Sequence, residues 1–414
     1  MQDKLGTGFE LSPLQERLYA VSQGSAAFQC QSAVLIEGDL DVTGMTAAIH
    51  RTVARYEILR TNFRLLAGRR RLLQVVQPTL QKSVEVVDLS QEEPELQPIR
   101  TAQIMRGMRE QSLDLDSDSL ARFQLLALGE NRHLLVLTLP SLCADAQALT
   151  NLTEEILLAY QGSPEIESEP LQYADFSAWQ RDLQESEETE AQEGRAYWRQ
   201  QEAAAHPLSE LPYERCRLAA TFAPEAVPIG LSREFSESVA TLCNTGRAAP
   251  EDFLLACWLS LFFRLTHQEE GMVGRSFDGR TYEELVPALG LFAKMLPIPW
   301  NVRGEMTFEQ ALLQIVETTE GAESRQDYSL SPNAADASAT DETRQALLNF
   351  TWEARLSRRT IEDTHFSLYH QRCCIARFGL NLVCGFADGE IVAEIQYDAG
   401  RFQEEDVLRL AEQF

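Results

Sequence analysis

The stretch His133-Leu134-Leu135-Val136-Leu137-Thr138-Leu139-Pro140-Ser141-Leu142-Cys143-Ala144-Asp145-Ala146 carries the clearest structural signal in the chain. Leu134 to Leu139 is apolar almost throughout. A short apolar run of this kind reads as a central strand covered on both faces. Upstream, Ala121–Leu128 is a second strand candidate, and Gly129-Glu130-Asn131 supplies the hairpin turn between them. Downstream, Leu149, Leu152, Ile156 and Tyr160 form one stripe at helical spacing. Pro140 to Ala146 therefore lies between a buried strand and a helix, where sites are often built.

Other segments extend this pattern in both directions. Ser12, Pro13 and Gln15 read as a helix start: an N-cap, a proline at the first helical position and a capping box. A second helix spans Val42 to Arg55, with Met45, Ala48, Ile49, Thr52, Val53 and Tyr56 on one face. Ser32–Glu37, Leu72–Val76 and Ser83–Val87 read as strands. Composition shifts at the polar stretch Gly162–Pro170, and an acidic helical stretch, Asp182–Gly194, follows as a solvated face. Further helices are expected from Pro250 and at Phe308–Thr318. The tail reads as strands at Leu380–Gly385 and Ile391–Tyr397, then a helix from Glu404. Strand-rich and helix-rich segments thus recur in both halves, which suggests two α/β lobes: 1–175 and 176–414, together one domain.

Charge narrows the function. The 414 residues carry 36 basic and 63 acidic side chains, a net charge of -27. A nucleic-acid binder needs Lys and Arg to replace counterions on phosphate, so that class is excluded. No basic cluster suits an anionic lipid surface. No stretch approaches the roughly 18 apolar residues of a membrane span, and Met1–Glu10 lacks the pattern of a signal peptide. The eight cysteines are scattered, without CxxC or Cys/His metal spacing. Cys257 reads as a small hydrophobe within a helix. A reducing cytoplasm and no metal site are expected.

Six segments, in order along the chain, resemble the condensation domains of non-ribosomal peptide synthetases. Leu11-Ser12-Pro13-Leu14-Gln15-Glu16-Arg17-Leu18-Tyr19 is similar to SxAQxRLWxL. Arg55-Tyr56-Glu57-Ile58-Leu59-Arg60-Thr61-Asn62-Phe63 is similar to RHExLRTxF, with Tyr56 where His is usual. Tyr173-Ala174-Asp175-Phe176-Ser177-Ala178-Trp179 resembles YxDYAVW, and Leu289 to Lys294 resembles IGxFVNT. Gln326-Asp327-Tyr328 matches a QDY core, and Tyr397 to Phe402 resembles the close of the domain. The resemblance implies an α/β fold of two chloramphenicol-acetyltransferase-like lobes in a V-shaped pseudo-dimer. A tunnel between them admits two phosphopantetheine arms, one with a donor thioester and one with an acceptor amine.

The central motif of that family is HHxxxDG. Here it reads Pro140-Ser141-Leu142-Cys143-Ala144-Asp145-Ala146, so both histidines are absent and Gly is Ala. The second His is given proton transfer or charge stabilisation, which suits a group titrating near pH 7. A serine hydroxyl is a poor base. Three readings of Ser141 stand open. It orients an amine or a developing oxyanion; it is a nucleophile or proton donor served by a distant His133, His365 or His370; or it fills space. The resemblance makes Asp145 largely structural, paired with Arg60, with Pro140 and Ala146 shaping the loop. Cys143 reads as a small buried residue rather than a reactive thiol. Lys294, where the family often has Asn, is expected on a solvated rim, or else against a phosphate or carboxylate. Arg280 resembles a position on the tunnel floor, and its alternative is a loop ion pair. Tyr173 is a further tunnel candidate.

Ser141 and Asp145 are thus the candidate catalytic residues, and Arg280, Lys294, Tyr173 and Cys143 the candidates for contact with substrate or pantetheine. Heterocyclisation, epimerisation and oxygenase-recruiting X domains each carry a different motif. The leading expectation is amide-bond formation, or a related acyl transfer, on carrier-tethered thioesters. The alternative is an inactive platform that docks carrier proteins and a tailoring enzyme. No cofactor is expected on the chain itself, only the phosphopantetheine arms of donor and acceptor peptidyl carrier proteins. An adjacent adenylation domain is the remaining expected partner.

Overall fold

A computed structural model describes residues 8–22, 25–65, 72–79, 84–117, 119–162, 169–204, 211–215, 221–244, 248–329 and 347–414. Ser83, Cys216 and most of the polar stretch Gly162–Pro170 lie outside them. In chain order the first elements are β1 (Gly8–Glu10), α1 (Pro13–Ser22), β2 (Gln29–Glu37), α2 (Val42–Arg55), β3 (Thr61–Leu65), β4 (Leu72–Val76), β5 (Glu85–Asp88), α3 (Gln97–Glu110), β6 (Arg122–Gly129), β7 (Arg132–Pro140), α4 (Ala146–Gln161) and α5 (Tyr173–Glu185). Then come α6 (Thr189–Ala204), β8 (Pro224–Ile229), α7 (Arg233–Asn244), α8 (Pro250–Thr266), β9 (Glu270–Phe277), β10 (Lys294–Asn301), α9 (Phe308–Glu323), β11 (Leu348–Trp352), β12 (Arg359–Ile361), β13 (Thr364–Cys373), β14 (Leu380–Ala387), β15 (Glu390–Asp398) and α10 (Glu404–Gln413).

The chain separates into two compact α/β units, and neither is one continuous stretch. The first takes Met1–Asp182, Arg280–Phe292 and Arg355–Ile375; the second takes Leu183–Gly279, Ala293–Ala354 and Ala376–Phe414. The first division along the chain lies between Asp182 and Leu183 of α5, later in the same helix than the expected 175/176. Two late segments return to the first unit, and a linear boundary cannot express that. The acidic helical stretch is also interrupted between Glu185 and Thr189. There the Ser186 hydroxyl accepts from the Glu188 amide, a local bond that competes with the helix.

The first unit holds a sheet in the order β12-β13-β2-β7-β6-β5, with a small sheet β1-β4-β3. β7 lies between β2 and β6, antiparallel to both, and is buried from His133 to Pro140. Its near-continuous apolar run is the consequence of cover on both faces. On one face Ala33, Leu126, Leu134 and Val136 pack with Met105 and Met108 of α3. α2 buries Met45, Ala48, Ile49, Thr52 and Val53, a stripe at helical spacing. β13 joins as the neighbour of β2, running from His365 opposite Glu37 to Cys373 opposite Cys30.

The second unit holds a sheet in the order β10-β9-β11-β14-β15-β8. Its core centres on Trp258 and Phe262 of α8, packed with Val273, Ile298, Phe350, Leu382 and Ile395 from five strands. A capping box, Thr307 with Gln310, starts α9. Among the described residues no helix is long and apolar enough to cross a membrane, and no acidic, His or Cys group could hold a metal ion.

Candidate functional site

The motif loop begins where β7 ends. The Ser141 amide donates to the Phe28 carbonyl at 3.1 Å, and the Cys143 amide closes a turn on the Pro140 carbonyl at 2.8 Å. Ser141 itself is 0% exposed. Its hydroxyl donates to the Cys374 carbonyl at 2.7 Å, and its Oγ lies 3.5 Å from Cys30 Sγ. The proton of Ser141 is therefore committed to the backbone just after β13. An open cleft lined by Leu18, Ser22, Phe28 and Leu115 reaches Pro140 and Leu142, but Ser141 does not line it.

Asp145 caps α4: its Oδ1 accepts from the Ala148 amide at 2.8 Å. Ala146 is the first residue of that helix. Arg280 donates two bonds to the same carboxylate, at 3.0 and 3.1 Å, and both side chains are 1% exposed. The Phe292 amide adds a further bond at 2.8 Å. The carboxylate oxygens are thus taken up by the Ala148 and Phe292 amides and the Arg280 guanidinium, charge-assisted bonds that fix the loop. Arg280 also donates to the Ala288 carbonyl and lies over the Phe292 ring, 4.4 Å from its centroid.

This geometry corrects the expected partner of Asp145. Arg60 donates to the Gln77 carbonyl at 2.5 Å and faces Glu57 at 3.6 Å. It sits in the short turn before β3, away from the carboxylate that the resemblance assigned to it. Arg280 does that work instead. Spacing along the chain could not select between the two arginines, because both are remote from Asp145 in sequence.

Tyr173 is buried and fastens the same loop. Its hydroxyl donates to the Leu291 carbonyl at 2.6 Å and lies 2.9 Å from the Ser12 hydroxyl. Since the tyrosine proton goes to Leu291, Ser12 is the donor in the second bond. Burial holds the Tyr173 hydroxyl well above its usual range, so it stays protonated. Gly290 is required beside it: φ is +149°, and a Cβ there would stand 2.0 Å from the tyrosine ring. Asn151 of α4 donates to the Val286 and Ala288 carbonyls. The segment Arg280–Phe292 is thus pinned by α4, α5 and Asp145 together.

The start of α1 anchors the motif loop from the other side. Ser12 and Gln15 form the expected reciprocal box, at 3.0 and 3.1 Å. Gln15 then donates to the Leu142 carbonyl at 2.8 Å and to Gln74 at 3.3 Å. Sequence reading assigned Gln15 only to helix capping. Its second role needed the fold, although a glutamine buried to 0% exposure is unusual and signals a built partner.

The other candidates have different surroundings. Cys143 is buried, and desolvation pushes its thiol far above the usual range, the opposite of a reactive thiolate. Lys294 is not on a rim. In the second unit its side chain is 1% exposed; it donates to Asp327 at 2.5 Å and to the Gln326 carbonyl at 3.3 Å. Burial lowers its pKa, while Asp327 and Asp278 oppose that shift. It holds the short turn Gln326–Tyr328 in place.

None of the three histidines considered for Ser141 bonds to it among the described residues. His133 sits towards the far end of β7, about 23 Å along the strand from Pro140 at roughly 3.3 Å per residue. His365 pairs across from Glu37, at that same end, and bonds Thr360. His370 lies three residues before Cys373 and pairs with Ala33, a residue of the α3-facing core. Burial, then the charges of Arg109, Arg372 and Arg355, push its pKa down to about 4, so it is neutral near pH 7.

The condensation domain model matches residues 7–414. Surfactin synthase subunit 2 of Bacillus subtilis (strain 168) is 25% identical over 414 residues, which is 98% of this chain and 11% of that protein. The chain therefore spans about a tenth of the length of that relative. Among solved structures, the first condensation domain of the calcium-dependent antibiotic synthetase, in complex with a substrate analogue, superposes with a TM-score of 0.81. It is 18% identical, with 98% of this chain and 94% of that one covered. The X-domain solved with OxyB from teicoplanin biosynthesis gives 0.77 and 20% identity, over 100% and 92%. These two likenesses establish the fold alone. With the family model matched from residue 7 onward, and Ser12, Gln15, Asp145, Tyr173 and Gly290 joined around one loop, the chain belongs to the condensation domain family.

Proposed function

We propose that this chain is the condensation-type domain of a non-ribosomal peptide synthetase, acting on carrier-tethered thioesters. It joins a donor acyl group to an acceptor amine by holding the two together, without a protein base at position 141. Orientation alone is a large effect, since effective molarities of well-placed groups reach about 10⁵–10⁸ M. The observation that carries this reading is the Ser141 hydroxyl, which is buried and donates to the Cys374 carbonyl. A hydroxyl so placed neither takes a proton from an amine nor supplies one to an oxyanion. The amine then loses its proton to solvent or to the substrate itself. The working partners are donor and acceptor peptidyl carrier proteins with their phosphopantetheine arms, beside an adenylation domain, in the cytoplasm.

The same observation favours a second reading, a platform that docks carrier proteins and a tailoring enzyme without catalysis. One experiment separates them. Donor and acceptor carriers are loaded, mixed with the chain, and followed by intact mass spectrometry. Amide product supports the first reading. No product from any cognate pair, with measurable carrier binding, supports the second.

A further inference from the structure

Beside Ser141 lies a feature that the condensation reading does not use. Cys30 and Cys373 are joined as a disulfide, linking β2 to β13 across 343 residues of sequence. They are register partners in the sheet. Cys30 is 0% exposed, whereas Cys373 is only partly buried. The Cys30 sulfur touches the motif loop at two points: 3.2 Å from the Ala144 carbonyl and 3.5 Å from Ser141 Oγ. On the other strand, the residue after Cys373 supplies the carbonyl that accepts from Ser141, and its amide donates to the Gln29 carbonyl at 3.2 Å. The sulfur bridge, the Ser141 bond and the Ala144 carbonyl therefore form one contiguous cluster.

We infer that Cys30 and Cys373 are a reversible thiol–disulfide couple whose state is read by the motif loop. In the oxidised form Cys30 has no hydrogen to give, and β13 is covalently fixed against β2. A dithiol reductant attacks at Cys373, the more exposed sulfur. Its thiolate forms a mixed disulfide there, and Cys30 leaves as a thiolate that takes up a proton. The second thiol of the reductant then resolves the mixed disulfide and releases Cys373 as a thiol. Two electrons and two protons pass to the protein, and the reductant becomes a cyclic disulfide. Cys30 now carries an S–H facing the Ala144 carbonyl. The β13 end, with its carbonyl acceptor for Ser141, is held by hydrogen bonds alone. Thiol-buffered compartments keep such bonds exchangeable, so a bridge at this place reports the redox state.

The test uses the wild-type chain without reductant. Thiols are trapped by alkylation and mapped by mass spectrometry, before and after a dithiol. Amide hydrogen exchange is then measured over residues 141–146 and 374. The expected result is a linked Cys30–Cys373 peptide pair that gains two hydrogens on reduction. Loop amides should exchange about tenfold faster afterwards, as a local opening becomes easier. Cys30→Ser should show the fast exchange without reductant and no response to it. Should that variant fail to fold, chemical reduction of the wild type decides alone. Both cysteines alkylated as thiols, even after incubation with oxidised glutathione, would overturn the inference. So would a bridge whose reduction leaves loop exchange unchanged.

Discussion

Restoring the family residue at position 141 is the sharpest test of why the motif is degenerate. Ser141→His places an imidazole where the side chain is now fully enclosed. The hydroxyl has the Cys374 carbonyl at 2.7 Å and the Cys30 sulfur at 3.5 Å, so no space awaits a ring. Overpacking a filled site costs about 1–3 kcal/mol. The Cys374 carbonyl also loses its hydroxyl donor, and a buried acceptor so deprived costs about 1–3 kcal/mol. The sum is roughly 2–6 kcal/mol, a fall in melting temperature of about 4–24 °C for a unit of this size. Differential scanning fluorimetry reads the stability, and product formed from loaded carriers reads the activity. The expected outcome is a less stable protein with no gain in amide formation. A variant as stable as wild type that forms amide about tenfold faster, a barrier change of about 1.4 kcal/mol, would refute the reasoning.

Asp145→Asn removes the charge that Arg280 faces while keeping a side chain able to cap α4. Since both partners are buried, a stability loss of about 3–5 kcal/mol is expected in thermal unfolding, and a loss under 1 kcal/mol would contradict the pairing. Gly290→Ala must move Tyr173 from Ser12 and Leu291, so hydrogen exchange should rise across 280–292; unchanged exchange there would show that the close approach is relaxed at no cost. His370 has a folded pKa of about 4, below its unfolded value of about 6.5. The unfolded chain thus binds more protons between those values, so stability rises with pH across that window. The contribution is full above about pH 6.5 and is lost as pH falls toward 4, amounting to at most about 3 kcal/mol. His370→Gln should flatten the melting-temperature profile between pH 4 and 6.5, and an unaltered slope would exclude His370 as its source.

Local rules carried much of the fold. The span Val42–Arg55 is a helix as its spacing indicates, and Leu134–Leu139 is a central strand because its apolar run needs cover on both sides. Ser12 and Gln15 form their box because that chemistry acts within one helical turn. Long-range pairing was not legible. The alternation in Thr364–Cys373 does not say which sheet receives β13, and its register with β2 alone brings Cys373 to Cys30 and the Cys374 carbonyl to Ser141. The arginine for Asp145 was misassigned for the same reason. α3 has a weak periodic signal amid polar sequence, and tertiary packing decides it. Lys294 looked exposed because lysine usually is, and only Asp327 and the Gln326 carbonyl explain its burial.

The central claim is that position 141 takes no part in proton transfer. Single-turnover amide formation from loaded donor and acceptor carriers, compared between wild type and Ser141→Ala by intact mass spectrometry, tests it most directly. The account predicts product from both proteins at rates within about threefold, well under 1 kcal/mol of barrier. A loss of about 100-fold or more in the alanine variant, with its fold intact, would place the serine hydroxyl in the chemistry and contradict the account.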